Sequence, residues 1–317
     1  MESAPLAELP RHPAVGGTCL IALGIFLLAP PELIDPLQLD LRAFWAEPWR
    51  LLTSVLLHAG QLRSDNWLMG LAHVGFNCYW LWRFGAGVEQ RLGHLRTLGL
   101  LVLFGVAGSL LEYAFVGPAV GLSGVVYGLA ALLWVLGRRS TSWRGSIDQR
   151  TAQFFVFWFG FCVIATITGA MAIANFAHAG GAALGALVGL AMTERGTRRG
   201  LAIGATVASI GLFVLGATVA RPWINISTRA GIDAMVQAEH AMTNEDIEQA
   251  IAWAERGVGY WRTPADHWAY LGWLYYAGGH PEQARDALAE ASRRDPDNAE
   301  YRQLFEQFRL FADPPQH

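Results

Sequence analysis

A serine and a histidine each stand in an apolar run that carries no charged residue. Ser123 lies in Gly121-Leu122-Ser123-Gly124-Val125-Val126-Tyr127-Gly128. His178 lies in Ala174-Asn175-Phe176-Ala177-His178-Ala179-Gly180-Gly181, with Gly185 and Gly189 beyond. A serine hydroxyl is a weak nucleophile until a base takes its proton, and histidine is the commonest such base. Bland readings compete: a serine in an apolar helix usually packs, and a lone histidine can be a structural hydrogen-bond partner. The glycines bear on the choice. Gly124 and Gly128 are four apart, as are Gly181 and Gly185, so each helix presents a face of small residues. Two such faces can pack backbone to backbone and bring Ser123 and His178 into hydrogen-bond reach.

A second pair occurs upstream, in Leu71-Ala72-His73-Val74-Gly75-Phe76-Asn77. His73 and Asn77 are one helical turn apart and share a face. Both can donate hydrogen bonds, and acyl transfer needs donors aimed at the developing oxyanion. The alternative is that they tie the helix to a loop. Neither His73 nor His178 has a carboxylate or thiolate partner at metal-ligand spacing, so no metal and no other cofactor is expected.

These residues need membrane helices to position them. Hydrophobic residues make up 53 % of the chain and charged residues 15 %, against about 25 % charged in soluble domains. The net charge of -3 does not favour nucleic acid as a partner. A membrane helix needs roughly 20 mostly apolar residues. The first candidate is Val15–Ala29, stopped by Pro30 and Pro31. An amphipathic connection follows to about Gly70, with Phe44, Trp45, Pro48 and Trp49 of the kind found at membrane interfaces. Further apolar runs cover about 69–87, 97–116, 120–137, 153–172, 174–193 and 201–220. The spacing predicts an all-α polytopic bundle of six clustered spans and an appended seventh. Cys19, Cys78 and Cys162 fall inside apolar stretches and read as small core residues rather than disulfides.

Orientation follows from arginine in the short loops. With the N-terminus cytoplasmic, that side receives Arg11, Arg83, Arg91, Arg96, Arg138, Arg139, Arg144, Arg150, Arg195, Arg198 and Arg199. The opposite short loops, 117–121 and 170–175, hold none, and the long first loop holds Arg42, Arg50 and Arg63. Seven spans then leave the C-terminus outside the cytoplasm.

From about Arg221 the chain turns soluble and acidic, with a 34-residue period: Glu248-Gln249-Ala250 recurs as Glu282-Gln283-Ala284. The second unit reads Trp268-x-x-Leu271-Gly272-x-x-Tyr275, then Ala284, Leu288, Ala291 and Pro296. It resembles the tetratricopeptide repeat, two antiparallel helices meeting at small residues. The first unit, about 231–264, is degenerate, with Ala234, Ala238 and Ala241 at corresponding places, and a capping helix is expected over about 299–310. Such pairs form concave protein-binding surfaces, so a protein partner is expected.

Over about 14–195 the chain resembles the rhomboid intramembrane proteases. The motifs that carry the likeness are Gly121-x-Ser123-Gly124, His73-x-x-x-Asn77, and His178 followed by Gly181 and Gly185. Supporting them are Glu47-Pro48-Trp49-Arg50 and Gly87-Val88-Glu89-Gln90-Arg91, both of structural cast. The resemblance implies a Ser–His dyad: Ser123 attacks, and His178 accepts its proton and passes it to the leaving amine. It also implies that His73, Asn77 and the Ser123 amide hold the oxyanion and that Tyr127 supports the imidazole. Expected substrates are transmembrane proteins, cut near the outer membrane face beside small and helix-breaking residues. The chain departs from the family in its upstream histidine. His58 is the nearest candidate, separated from His73 by an apparent insertion, Ala59–Ala72, polar at Arg63 to Asn66 and able to reshape the substrate entrance; His58 is kept as a minor site candidate with a structural reading.

The expected domains are a membrane protease domain over 1–197, a seventh span over 198–222 and helical repeats over 223–317. The expected setting is a bacterial inner (cell) membrane, with the lipid bilayer as constant partner. The runner-up is a non-catalytic rhomboid-like adaptor that binds membrane helices without cutting them. A transporter is a third reading, but no repeated halves or ion-binding acid stand out.

Overall fold

The computed structural model describes residues 5–39, 46–58, 67–227, 229–260 and 263–312. Arg42, Phe44 and Trp45 of the first loop, and residues 59–66 of the apparent insertion, lie outside them. Among the described residues every regular element is helical, and the chain divides into two compact units, Met1–Ala220 and Arg221–His317.

The first unit holds α1 (Pro13–Leu28), α2 (Pro31–Ile34), α3 (Arg50–Leu56), α4 (Trp67–Leu92) and α5 (His94–Phe115). It continues with α6 (Ser123–Arg139), α7 (Gln149–Ile167), α8 (Asn175–Thr193) and α9 (Gly196–Ala217). The seven longer helices coincide with the seven apolar runs. Among the described residues α5, α7, α8 and α9 are long and apolar enough to cross a membrane unaided. The others are less typical: α1 has 16 residues, α6 has 17, and α4 has 26 but carries Arg83, Glu89 and Arg91.

α6 is the central helix, packed on α4, α5, α7 and α8. Val125, Val126, Leu129, Leu132, Leu133 and Leu136 on it are buried. Its tightest partner is α8, and glycine is the reason. A Cβ on Gly181 would overlap the carbonyl oxygen of Gly124, and one on Gly185 would overlap that of Gly128. α7 is held loosely. It buries Phe155, Cys162 and Ala165 and exposes Val156, Phe157, Ile164 and Ile167, a face suited to lipid. Its start is fixed by Asp148, which accepts a hydrogen bond from the Thr151 amide at 2.8 Å. That bond, with one from the Thr151 hydroxyl, holds the Asp148 carboxyl below its ordinary range. α9 packs on α5 and α8.

The sequence cues called structural have definite tasks. Glu89, buried on α4, accepts hydrogen bonds from the amides of Ala14 at 2.8 Å and Val15 at 2.9 Å. It therefore caps α1, whose own N-cap residue, His12, makes no side-chain cap. Arg50 donates to the Asp35 and Gln38 carbonyls, each at 3.0 Å, and pairs with Glu47, fastening the first loop. Cys19, Cys78 and Cys162 are free and buried.

The second unit holds α10 (Arg221–Ile224), α11 (Ala230–Thr243), α12 (Ile247–Val258), α13 (Ala265–Ala277), α14 (Pro281–Arg294) and α15 (Ala299–Ala312). α11 pairs with α12, α13 with α14, and α15 packs on α14. Small residues set the spacing within pairs: Ala234, Ala238, Ala250 and Ala284 are completely buried. A Cβ on Gly272 would lie 2.8 Å from Leu288 and 3.2 Å from the Ala284 carbonyl oxygen. Tyr275 donates its hydroxyl to Glu255 at 2.6 Å, linking the pairs; burial and that carboxylate push the phenol's pKa up.

Candidate active site

Ser123 is the first residue of α6, and its backbone amide is one of the helix's free N-terminal donors. The turn before it is set by Gly121, whose φ of +113° lies where a side chain is strained. A Cβ there would also lie 3.0 Å from Cε1 and 3.1 Å from Nε2 of His73. Gly121 thus makes the bend and leaves room for an imidazole against the backbone.

His178 sits in the first turn of α8 and is buried. Its Nε2 lies 2.9 Å from Oγ of Ser123. The ring stacks on Tyr127, one turn beyond Ser123, with centroids 4.5 Å apart and planes at 21°. The Tyr127 hydroxyl in turn donates to the Phe155 carbonyl at 3.4 Å. Nδ1 of His178 has no hydrogen-bond partner among the described residues. If Nδ1 carries the proton, Nε2 faces Ser123 as an acceptor.

Asn77 is buried on α4, and its Nδ2 would lie 3.6 Å from a Cβ at Gly121. The structure therefore gathers Ser123, His178, Tyr127, His73 and Asn77 around one end of α6. It also gathers His58, the minor site candidate of the sequence. Nδ2 of Asn77 donates to Nε2 of His58 at 3.2 Å, and the His58 ring meets His73 edge-on, centroids 4.9 Å apart. The apparent insertion after His58 hid this proximity, because it lengthens the chain without moving His58 from the site.

Glu112 is the residue that sequence reading missed. Its carboxylate, buried on α5, accepts the backbone amides of Phe176 at 2.8 Å and Ala177 at 3.1 Å. These are first-turn amides of α8, immediately before His178, and Ala174 at the N-cap gives them no side-chain acceptor. The signal was available: a lone carboxylate inside an apolar run is expensive and asks for a partner. Among the described residues no group of three or more His, Cys, Asp or Glu side chains is placed to hold a metal ion.

Chemically, the arrangement offers a hydroxyl facing an imidazole, a helix N-terminus beside it, and amide and imidazole donors across a glycine turn. Comparison with known proteins matches two regions of the chain. Residues 46–195 match the rhomboid domain, and residues 241–307 match the tetratricopeptide repeat. The chain is similar to the rhomboid protease GlpG of Klebsiella pneumoniae subsp. pneumoniae, 30 % identical over 159 residues, covering 48 % of this chain and 51 % of that protein. It is 31 % identical over 157 residues to the rhomboid protease GlpG of an Enterobacter species, with 48 % and 51 % covered. To that of Salmonella newport it is 32 % identical over 156 residues, with 46 % and 48 % covered. The chain spans about half the length of these curated relatives. It is an all-helical chain of polytopic membrane character that carries a match to the rhomboid domain over residues 46–195 and to the tetratricopeptide repeat over residues 241–307.

Proposed function

We propose that this chain is an intramembrane serine endopeptidase that cleaves transmembrane proteins with a Ser123–His178 dyad. The observation that carries the reading is the 2.9 Å approach of Nε2 of His178 to Oγ of Ser123 within a helix contact that glycine makes tight. Ser123 Oγ attacks the scissile carbonyl carbon while its proton passes to Nε2 of His178. The carbonyl oxygen takes the negative charge. The Ser123 amide, the second N–H of Asn77 and the His73 imidazole are the donors available to it. Collapse of the tetrahedral intermediate breaks the C–N bond, and the imidazolium gives its proton to the leaving amine. Water then repeats the sequence on the acyl-enzyme and frees Ser123. Tyr127 keeps the imidazole in plane, and Glu112 holds the start of α8 that presents it.

The arginine bias of the short loops supports a cytoplasmic N-terminus and a repeat unit outside the cytoplasm, with Ser123 toward the outer face. On this reading residues 1–197 are the protease domain, 198–222 a seventh span and 223–317 a repeat domain that selects natural substrates or protein partners. The test is cleavage of a single-span test substrate in liposomes. Parent protein should cut it, and Ser123→Ala and His178→Ala should not. A folded parent that binds the substrate without cutting it would favour the adaptor reading instead.

A further inference from the structure

The segment joining the seventh span to the repeats has the sequence of a linker and the structure of a platform. The chain does not run free after α9. The Ala220 amide donates back to the Leu215 carbonyl at 2.9 Å, so Ala220 stays at the level of the end of the span. Three residues later comes Trp223, at most roughly 11 Å farther along the chain.

Within the second unit, α10 is tied down by a buried polar cluster. Nε of Arg221 donates to Oδ1 of Asp233 at 2.9 Å. Asn225 donates its amide to Oδ2 of the same carboxylate and accepts the Ser227 amide at 2.8 Å. Arg221, Asn225 and Asp233 are all buried. The cluster fixes α10 on α11 and faces Trp223 and Ile226 away from the core: they are 55 % and 71 % exposed. Trp253 of α12 braces Trp223 edge-on, centroids 5.2 Å apart.

Burying three polar groups to leave two large apolar ones uncovered is costly in water. Beside a membrane it is favourable, because tryptophan concentrates at the boundary between hydrocarbon and water. The exposed residues Leu212, Leu215 and Val219 are followed at the same three-to-four spacing by Trp223 and Ile226. The interfacial layer is about 5–7 Å thick on each side, and the reach from Ala220 is of the same order.

We propose that Trp223 and Ile226 form an interfacial anchor, seated in the bilayer surface and held by the Arg221–Asp233–Asn225 cluster. The partner is the lipid interface itself. The repeat unit is then held at the membrane by its own surface as well as by the chain that leads into it.

The test uses the full chain in vesicles of phosphatidylethanolamine and phosphatidylglycerol, with the three native cysteines replaced. Single spin labels are placed at 223, at 226 and, for reference, at Trp273, which is 51 % exposed on α13. Collisions with oxygen, which partitions into lipid, are compared with those of a water-soluble nickel chelate. Oxygen should dominate at 223 and 226 and the chelate at 273. In a second arm the label at 226 is read in the Trp223→Ala background, where chelate collisions should rise. Chelate dominance at 223 and 226 in the unaltered background would overturn the proposal, as would low collision with both agents, which marks a protein contact. The two positions are labelled separately, so a variant that fails to fold leaves the other to decide.

Discussion

Gly181 on α8 approaches Gly124 on α6 so closely that a single added methyl group would overlap the Gly124 carbonyl oxygen. Ser123 adjoins one of these glycines, and His178 lies one turn before the other. The separation of α6 and α8 therefore sets the Ser123–His178 distance. Gly181→Ala should force the helices apart or strain them, at about 1–3 kcal/mol, and Gly181→Val should cost more. Thermal unfolding in detergent reads the stability, and cleavage should fall further than the stability loss alone explains. A Gly181→Val protein with parental cleavage would detach the glycine contact from the chemistry.

Glu112 supplies the second prediction. Glu112→Ala strands the buried amide of Ala177 and the part-buried amide of Phe176, and a buried unsatisfied donor costs about 1–3 kcal/mol. Glu112→Gln keeps an acceptor oxygen and should lose much less. The start of α8 carries His178, so turnover should fall in Glu112→Ala while substrate affinity holds. Measuring kcat and KM separately, with unfolding temperature, checks this. Equal behaviour of the two variants would remove the capping account.

Asn77 and His58 form the third. Loss of one oxyanion donor typically costs on the order of 10²–10³ in rate, so Asn77→Ala should lower kcat within that range, with other donors softening the loss. His58→Ala should lower it less, because His58 acts on Asn77 through the 3.2 Å hydrogen bond. The double variant should match Asn77→Ala alone, the non-additivity expected of residues in one chain of contacts. Additive losses would mean that His58 has a task of its own.

Orientation is the fourth. A reporter active only in the cytoplasm, fused after His317, should be silent if seven spans carry the chain outward. A strong signal would mean that one helix does not cross. The short α1 and α6 fall below the usual spanning length, and α6 is deeply buried among its neighbours.

The sequence was most readable where one physical demand acts alone. Apolar run length located all seven longer helices, and glycine spacing anticipated the backbone contact of α6 with α8. The 34-residue period and its Trp-Leu-Gly-Tyr and alanine positions located α11 to α14. Boundaries moved where capping decides them: the apolar run begins at about residue 120 but α6 begins at Ser123, because the turn that places Ser123 requires the backbone of Gly121. The partners of the two buried carboxylates were unreadable. Glu112 meets Phe176 across 64 residues, and Glu89 meets Ala14 across 75; neither spacing has a local signature. His58 was discounted because its separation along the chain suggested distance in space.

The most direct measurement is active-site labelling with a fluorophosphonate probe, which reacts with a serine only when a base activates it. The account predicts labelling of the folded parent in detergent, none in Ser123→Ala, and strongly slowed labelling in His178→Ala. Equal labelling of Ser123→Ala and parent, or none in a parent shown to be folded, would contradict it.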